Sequence, residues 1–417
     1  MTKKTVLDNG LTIMTAPRDN SDLVIIKYIV HAGSFFENDN ERGISHAAEH
    51  MLFKGTHKYD AKGINEAIAM IGGSTNAYTG RDITAFYIIS PVKEWKKNMD
   101  ILSDMIWNNT IPAEEWKKEK TVIIEEIKMY EDAANMLVYD NLEKVMFKDY
   151  PNRGPIAGTI ESVSAFTADD IRKYIDKWYT PQNICLSVVG NISNDDIVKY
   201  AKSITPDVSN NSYKYTSNFK SVPFDLQSMT VKRDIQQAHM ACGISVGKPD
   251  TEDMPVAEMI SHIMGDGFTS RLFKLIREDR GLVYHVDCEL DNNDTDSMIL
   301  TCYAGLDESN IDTVKNIIID EFVKLTKEKV SENELKMMRN MITTKGGLSE
   351  ERISTASSEL TDAFIYGRNY TVKEYSEKVC ATTADDIMRV AKKFFTKNNF
   401  CFSYVVPNGK GGKDGEN

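Results

Sequence analysis

Thr167-Ala168-Asp169-Asp170-Ile171 recurs as Thr383-Ala384-Asp385-Asp386-Ile387, and the two copies stay in register well beyond the motif. Thr180 matches Thr396, Asn183 matches Asn399, Cys185 matches Cys401 and Ser187 matches Ser403, each at the same separation (385 − 169 = 216). A threonine three positions before an aspartate is a helix-capping signature, and the apolar residues after each helix read as a strand. Two copies of a capped helix and a strand, half a chain apart, predict a duplication. The expected fold is α+β, with two homologous α/β halves that each pack helices on a sheet.

The polar stretch Thr205 to Ser221 is the natural joint between the copies. It sets expected boundaries at 1–204, a linker at 205–221, a second half at 222–407 and a disordered, Gly- and charge-rich tail at 408–417. In the first half, Thr5-Val6-Leu7 and Leu11-Thr12-Ile13-Met14 flank a hairpin turn at Asp8-Asn9-Gly10. Leu23 to His31 is so continuously apolar that it predicts a strand buried on both faces. A helix from Ala61 to Ile71, stopped by Gly72-Gly73, precedes two strands at Ser74 to Tyr78 and Ile83 to Ser90.

A length of 417 residues exceeds what one ordinary core organises, and 41% hydrophobic with 27% charged residues is a soluble globular composition. The formal net charge of −12 argues against a nucleic-acid partner. No apolar run approaches membrane-spanning length, and Met1-Thr2-Lys3-Lys4 leads into a strand pattern rather than a signal peptide. Six cysteines without C-x-x-C spacing read as buried thiols in a reducing compartment, so the expected location is cytoplasmic, with an organelle matrix as the alternative, and with no membrane partner.

Chemistry gathers in Gly43-Ile44-Ser45-His46-Ala47-Ala48-Glu49-His50-Met51-Leu52-Phe53. Ile44, Ala47, Ala48, Met51 and Leu52 form one helical stripe, while His46, Glu49 and His50 share the other side. Two histidines four apart can bind one metal ion with Glu49 beside its open position, which is the H-x-x-E-H order of the inverted zincins. A solvated polar face would show the same residues, so a third ligand must come from elsewhere.

Pro112 to about Lys148 reads as one helical stretch with no breaker before Pro151. Within it Glu119 and Glu126 are seven apart and stack on one face, whereas Glu125 points about 100° away. Beside Val122-Ile123-Ile124, expected to bury the helix, this pair suits a ligand and a group behind it. On spacing alone it suits ordinary helix surface equally well. The second half has no such set: an offset of 219 (334 − 115) puts Met338 opposite Glu119 and Lys345 opposite Glu126. Its lone His262, on an apolar helix, is expected to pack in the core.

Taken together these residues resemble the M16 metallopeptidases, in their branch of short two-domain chains, from Leu7-Asp8-Asn9-Gly10 to Asn399. The resemblance implies a clamshell of two halves around a peptide-binding chamber, and a zinc endopeptidase acting on short or unfolded peptides. It implies one Zn²⁺ held by His46, His50 and Glu126 (126 − 50 = 76), with Glu49 as general base and Glu119 as a further catalytic glutamate. Gly72 to Thr79 resembles the segment at the substrate-binding edge strand, which brings in Asn76 and Ala77. Ser270 to Tyr284 resembles the stretch whose arginine and tyrosine reach bound substrate, here Arg277 and Tyr284. In the processing peptidases, acidic residues ten and fourteen positions after the metal glutamate favour arginine near the cut. Here those positions are Met136 and Asp140, so half of that site is present, and leader processing stands beside general peptide degradation. A chain with both halves needs no specialised partner, which makes a homodimer the expected assembly. A catalytically silent scaffold and a peptide-binding subunit with structural zinc are the rival readings.

Overall fold

The structure, a computed structural model, describes residues 2–147, 154–207, 228–292 and 297–408, less the side chain of Lys397. Apart from 205–207 and 408, the linker and tail expected from the sequence lie outside the described residues.

β1 (Lys3–Val6) and β2 (Thr12–Pro17) form the expected hairpin, with Gly10 at a φ of 93° that favours glycine. They join β3 (Leu23–Val30), β4 (Ser74–Thr79), β5 (Thr84–Pro91) and β6 (Ile184–Gly190) in a sheet of order β1-β2-β6-β3-β5-β4. The second sheet takes β7 (Ser228–Arg233), β8 (Ala238–Ser245), β9 (Val283–Asp291), β10 (Ile299–Leu306) and β11 (Phe400–Pro407) in the order β7-β11-β8-β10-β9. Each sheet is antiparallel except for a single parallel pair, β2–β6 in the first and β7–β11 in the second. Strand for strand, the second sheet repeats the first without β1.

The helices of the first sequence half are α1 (Ile44–Leu52), α2 (Ala61–Met70), α3 (Trp95–Trp107), α4 (Ala113–Asp132), α5 (Ala134–Met146), α6 (Ile160–Ala165), α7 (Ala168–Trp178) and α8 (Asn194–Ile204). Those of the second are α9 (Met254–Gly265), α10 (Ile311–Lys324), α11 (Glu332–Glu350), α12 (Ile353–Ile365), α13 (Val372–Cys380) and α14 (Ala384–Phe394). Thr167 caps α7 and Thr383 caps α14, each in a reciprocal capping box. Asn183 then ties the helix end to the sheet, its Nδ2 donating to Trp178 O and His31 O at 2.9 and 3.0 Å. Asn399 repeats this on Phe394 O and Ser245 O at 2.7 and 2.9 Å, which is a physical reason for the register seen in the sequence.

β3 is buried on both faces. Ile25 and Ile29 pack with Ala356 and Leu360 of α12, while Tyr28 on the opposite face bonds Ser103 of α3 at 2.6 Å. α12 comes from the far half of the chain. The chain makes two compact units, the first drawn from Met1–Lys128, Asn152–Ser217 and Leu348–Val372, and the second from Met129–Pro151, Asn218–Gly347 and Lys373–Asn417. The contiguous halves expected at 1–204 and 222–407 therefore trade a helix each: α12 lies on the first sheet and α5 on the second. The two helices occupy equivalent places in the repeat (353 − 134 = 219; 365 − 146 = 219). Apolar burial drives the exchange, as Leu137, Val138, Leu142 and Met146 of α5 cover Ala241, Cys401 and Val405.

The helix expected to run from Pro112 to about Lys148 is two. Ala133 leaves helical geometry at φ −79° and ψ 91°, and α5 starts anew to join the second unit. No glycine or proline marks this break. Val122, expected to help bury α4, is 51% exposed; the helix buries through Trp116, Glu119, Ile123 and Ile127 instead. All six cysteines are free thiols and five are buried. No helix among the described residues is long and apolar enough to cross a membrane.

Candidate metal centre

α1 begins at Gly43, which has no side chain to cap it and whose φ of 87° favours glycine. Glu37 supplies the cap from outside the helix, its carboxylate accepting from Gly43 N and Ser45 N at 2.9 Å each. Ser45 Oγ in turn pairs with Tyr174 OH at 2.7 Å. Ile44, Ala47, Ala48, Met51 and Leu52 are buried, so the histidine face is fixed away from the core.

Burial pushes the Glu37 carboxyl from 4.5 up to about 7, against the hydrogen bonds from Ser45 and Gly43, with Glu41 adding to the rise. A folded-state value above the unfolded one gives stability that is fully present below the unfolded value and lost as pH rises through about 7. Glu37→Gln should remove that pH slope, up to ~1.4 kcal/mol per pH unit, while weakening the cap at every pH. Denaturant unfolding at a series of pH values between those limits checks it. An unchanged slope would mean that Glu37 is already ionised throughout.

His46 and His50 sit one turn apart with Nε2 to Nε2 at 3.2 Å. Glu126, reaching over from α4, brings Oε2 to 3.5 Å from His50 Nε2 and 3.9 Å from His46 Nε2. Zinc bonds of about 2.0–2.1 Å in a tetrahedron place ligand atoms about 3.3–3.4 Å apart. The triangle therefore fits one zinc-sized ion. Burial, and then the neighbouring His50, hold His46 down to about 3, so its ring stays neutral and offers a lone pair. Among the described residues no other trio of His, Cys, Asp or Glu brings its ligand atoms together this closely.

Glu119 lies behind this triangle, two turns before Glu126 on α4. One of its oxygens accepts from His50 Nδ1 at 2.8 Å, and the other meets Lys54 Nζ at 2.6 Å. Burial pushes the Glu119 carboxyl up, but His50 and Lys54 together outweigh it and hold the group below its ordinary value. Glu125 points elsewhere and pairs with Lys128 at 2.8 Å. Glu49 accepts from Thr79 Oγ1 at 2.5 Å. Burial raises its carboxyl, with Thr79 and His50 opposing and Glu126 reinforcing. The sequence reading missed Lys54 and Thr79. Lys54 had a signal, since four residues after His50 it stays on the histidine face; Thr79 is delivered by strand pairing alone.

The remaining candidates are placed separately. β4 ends the first sheet, so its outer edge has no strand partner among the described residues. On it, Asn76 is exposed and its Oδ1 accepts from Ala77 N at 2.9 Å, while Ala77 is half-buried. Asp140 is a half-buried residue of α5. Arg277 is exposed at the end of a π-helical turn, Phe273–Glu278, with its guanidinium 4.8 Å from the Phe273 ring centre. β9 pairs Val283 with Leu306 and His285 with Gly305, which leaves Tyr284 unpaired in a β-bulge and 76% exposed. The Tyr284 ring therefore does not pack on the sheet. His262 is not packed in an apolar core either: it bonds Asp266 at 2.6 Å, lies 3.6 Å from Glu258, and Lys345 pairs with the same Asp266 at 2.6 Å. Polar partners at four-residue spacing on α9 account for the difference.

Residues 13–160 match the family described as Insulinase (Peptidase family M16), and residues 165–342 match the Peptidase M16 inactive domain. A relative from Rickettsia felis, described as an uncharacterized zinc protease, is 33% identical over 94% of each chain. The uncharacterized zinc protease YmxG of Bacillus subtilis is 30% identical over 98% of this chain and 99% of its own. Among solved structures, a protease from Helicobacter pylori shares the fold with a TM-score of 0.91 at 20% identity, covering 98% of this chain and 99% of that one.

Proposed function

Because the chain belongs to peptidase family M16, we propose that it is a zinc-dependent endopeptidase of short or unfolded peptides. The observation that carries this reading is the convergence of His46, His50 and Glu126 at zinc-ligand spacing, with the carboxylate of Glu49 held beside them. A zinc ion held by His46, His50 and Glu126 would supply Lewis acidity and make a water molecule easier to deprotonate. Glu49 takes the proton of the attacking water and passes it to the leaving amine. Thr79 occupies one carboxylate oxygen of Glu49 and leaves the other to accept that proton. Glu119 orients His50, and the open edge of β4 near Asn76 and Ala77 offers main-chain hydrogen bonds to an extended peptide.

Purified protein should contain about one zinc per chain and cleave an internally quenched peptide, with activity lost to a chelator and regained with zinc. Zinc without turnover would favour the peptide-binding reading, and no zinc in an unchelated preparation would end the metal reading. The assembly belongs to the same proposal: a homodimer that light scattering would detect.

Arg277 and Tyr284 are assigned to the substrate or the developing oxyanion, supported by their exposure and by the bulge that turns Tyr284 outward. Tyr284→Phe should lower kcat/KM about 10–100-fold, on the scale of one lost transition-state hydrogen bond, with zinc content and Tm unchanged. Wild-type kinetics in this variant would remove the hydroxyl from the site.

A further inference from the structure

We propose that Lys54 is a positioning residue of the metal centre, which fixes the ring of His50 through Glu119 so that Nε2 faces His46 and Glu126. The inference rests on the zinc reading above. Lys54 follows the last turn of α1, its N–H still bonded to Met51 O at 3.1 Å, and this keeps it on the side of His46 and His50. Its ammonium lies 2.6 Å from Glu119 Oε2, and Glu119 Oε1 lies 2.8 Å from His50 Nδ1. Because the partner of Nδ1 is a carboxylate, Nδ1 donates, and the tautomer this bond selects carries its lone pair on Nε2. That is the atom 3.2 Å from His46 Nε2 and 3.5 Å from Glu126 Oε2.

Two further observations give this chain of contacts its weight. Among the described residues His46 Nδ1 is buried with no hydrogen-bond partner, so His50 is the histidine that an outside group orients. The second unit supplies an internal comparison. α9 aligns with α1 at an offset of 212 (262 − 50), with the same buried positions except that Ser261 and Gly265 are buried where Glu49 and Phe53 are half-buried, and Asp266 falls where the chain after α1 continues to Lys54. Met338 stands in the place of Glu119 there, and Asp266 bonds His262 directly at 2.6 Å. Where the intermediate carboxylate is gone, the residue four after the histidine is itself the carboxylate. A lysine at that position has its use only while Glu119 is present.

The test measures zinc affinity of the full chain by competition with a chromophoric chelator, a readout independent of turnover. Lys54→Met keeps the aliphatic stem and removes the charge; it should weaken zinc binding about 10–100-fold, the range for lost partners of metal ligands. Lys54→Arg should restore most of the affinity. In a Glu119→Gln background, Lys54→Met should add less than about twofold, because its route to the metal runs through Glu119. Wild-type affinity in Lys54→Met, or additive losses in the double variant, would overturn the proposal. Should Lys54→Met not fold, Lys54→Gln makes the same comparison. A wild type that takes up no zinc overturns the metal reading itself, and shows this before any variant is compared.

Discussion

Glu49→Gln should keep its zinc and lose about 10²–10⁴ in kcat, the range for a positioned general base. The amide has nearly the shape of the carboxylate and still accepts from Thr79 through its carbonyl oxygen. It cannot take a proton from water. His46, His50 and Glu126 do not depend on Glu49 for their placement: α1 is fixed by its buried stripe and the Glu37 cap, and α4 by Trp116, Ile123 and Ile127. Elemental analysis beside single-turnover kinetics separates the two effects. A variant that loses zinc as well would make Glu49 part of the binding site, and one that keeps its rate would assign the base elsewhere.

His50→Ala should remove zinc and turnover together. It deletes one corner of the ligand triangle, at 3.2 and 3.5 Å from the other two, and leaves Glu119 facing Lys54 with no histidine to orient. Two remaining side chains fall short of the three protein ligands that catalytic zinc sites use, so the zinc content should drop from about one per chain to near zero. His262→Ala is the matching control. His262 stands at the equivalent helical position, with Asp266, Glu258 and Lys345 around it. Its loss should leave zinc and peptide cleavage in place. Zinc retained in His50→Ala, or lost in His262→Ala, would put the ion elsewhere than the triangle.

The cluster was legible in part because its residues lie on two helices with fixed pitch. A separation of four from His46 to His50 makes about one helical turn, and a separation of seven from Glu119 to Glu126 makes about two, whatever the surrounding fold. What spacing left open was whether the glutamate pair meets the histidine pair, because α1 and α4 are separate elements. The structure brings them together at 2.8 Å between Glu119 and His50. Thr79 was illegible for the same reason, since the pairing of β4 with β5 decides where that strand ends against α1.

The sequence by itself determined the duplication, the sandwiched β3 strand, the caps at Thr167 and Thr383, and the faces of α1 and α4 that carry His46 with His50 and Glu119 with Glu126. Each follows from interactions within a few residues or from a repeat that copies them. Tertiary structure alone decided the break at Ala133, the exchange of α5 and α12 between units, and the bulge that exposes Tyr284. No local pattern encodes these. An apolar helix face such as that of α5 specifies only that it will be covered, and the sheet that covers it is chosen by the packing of residues far along the chain, Ala241, Cys401 and Val405.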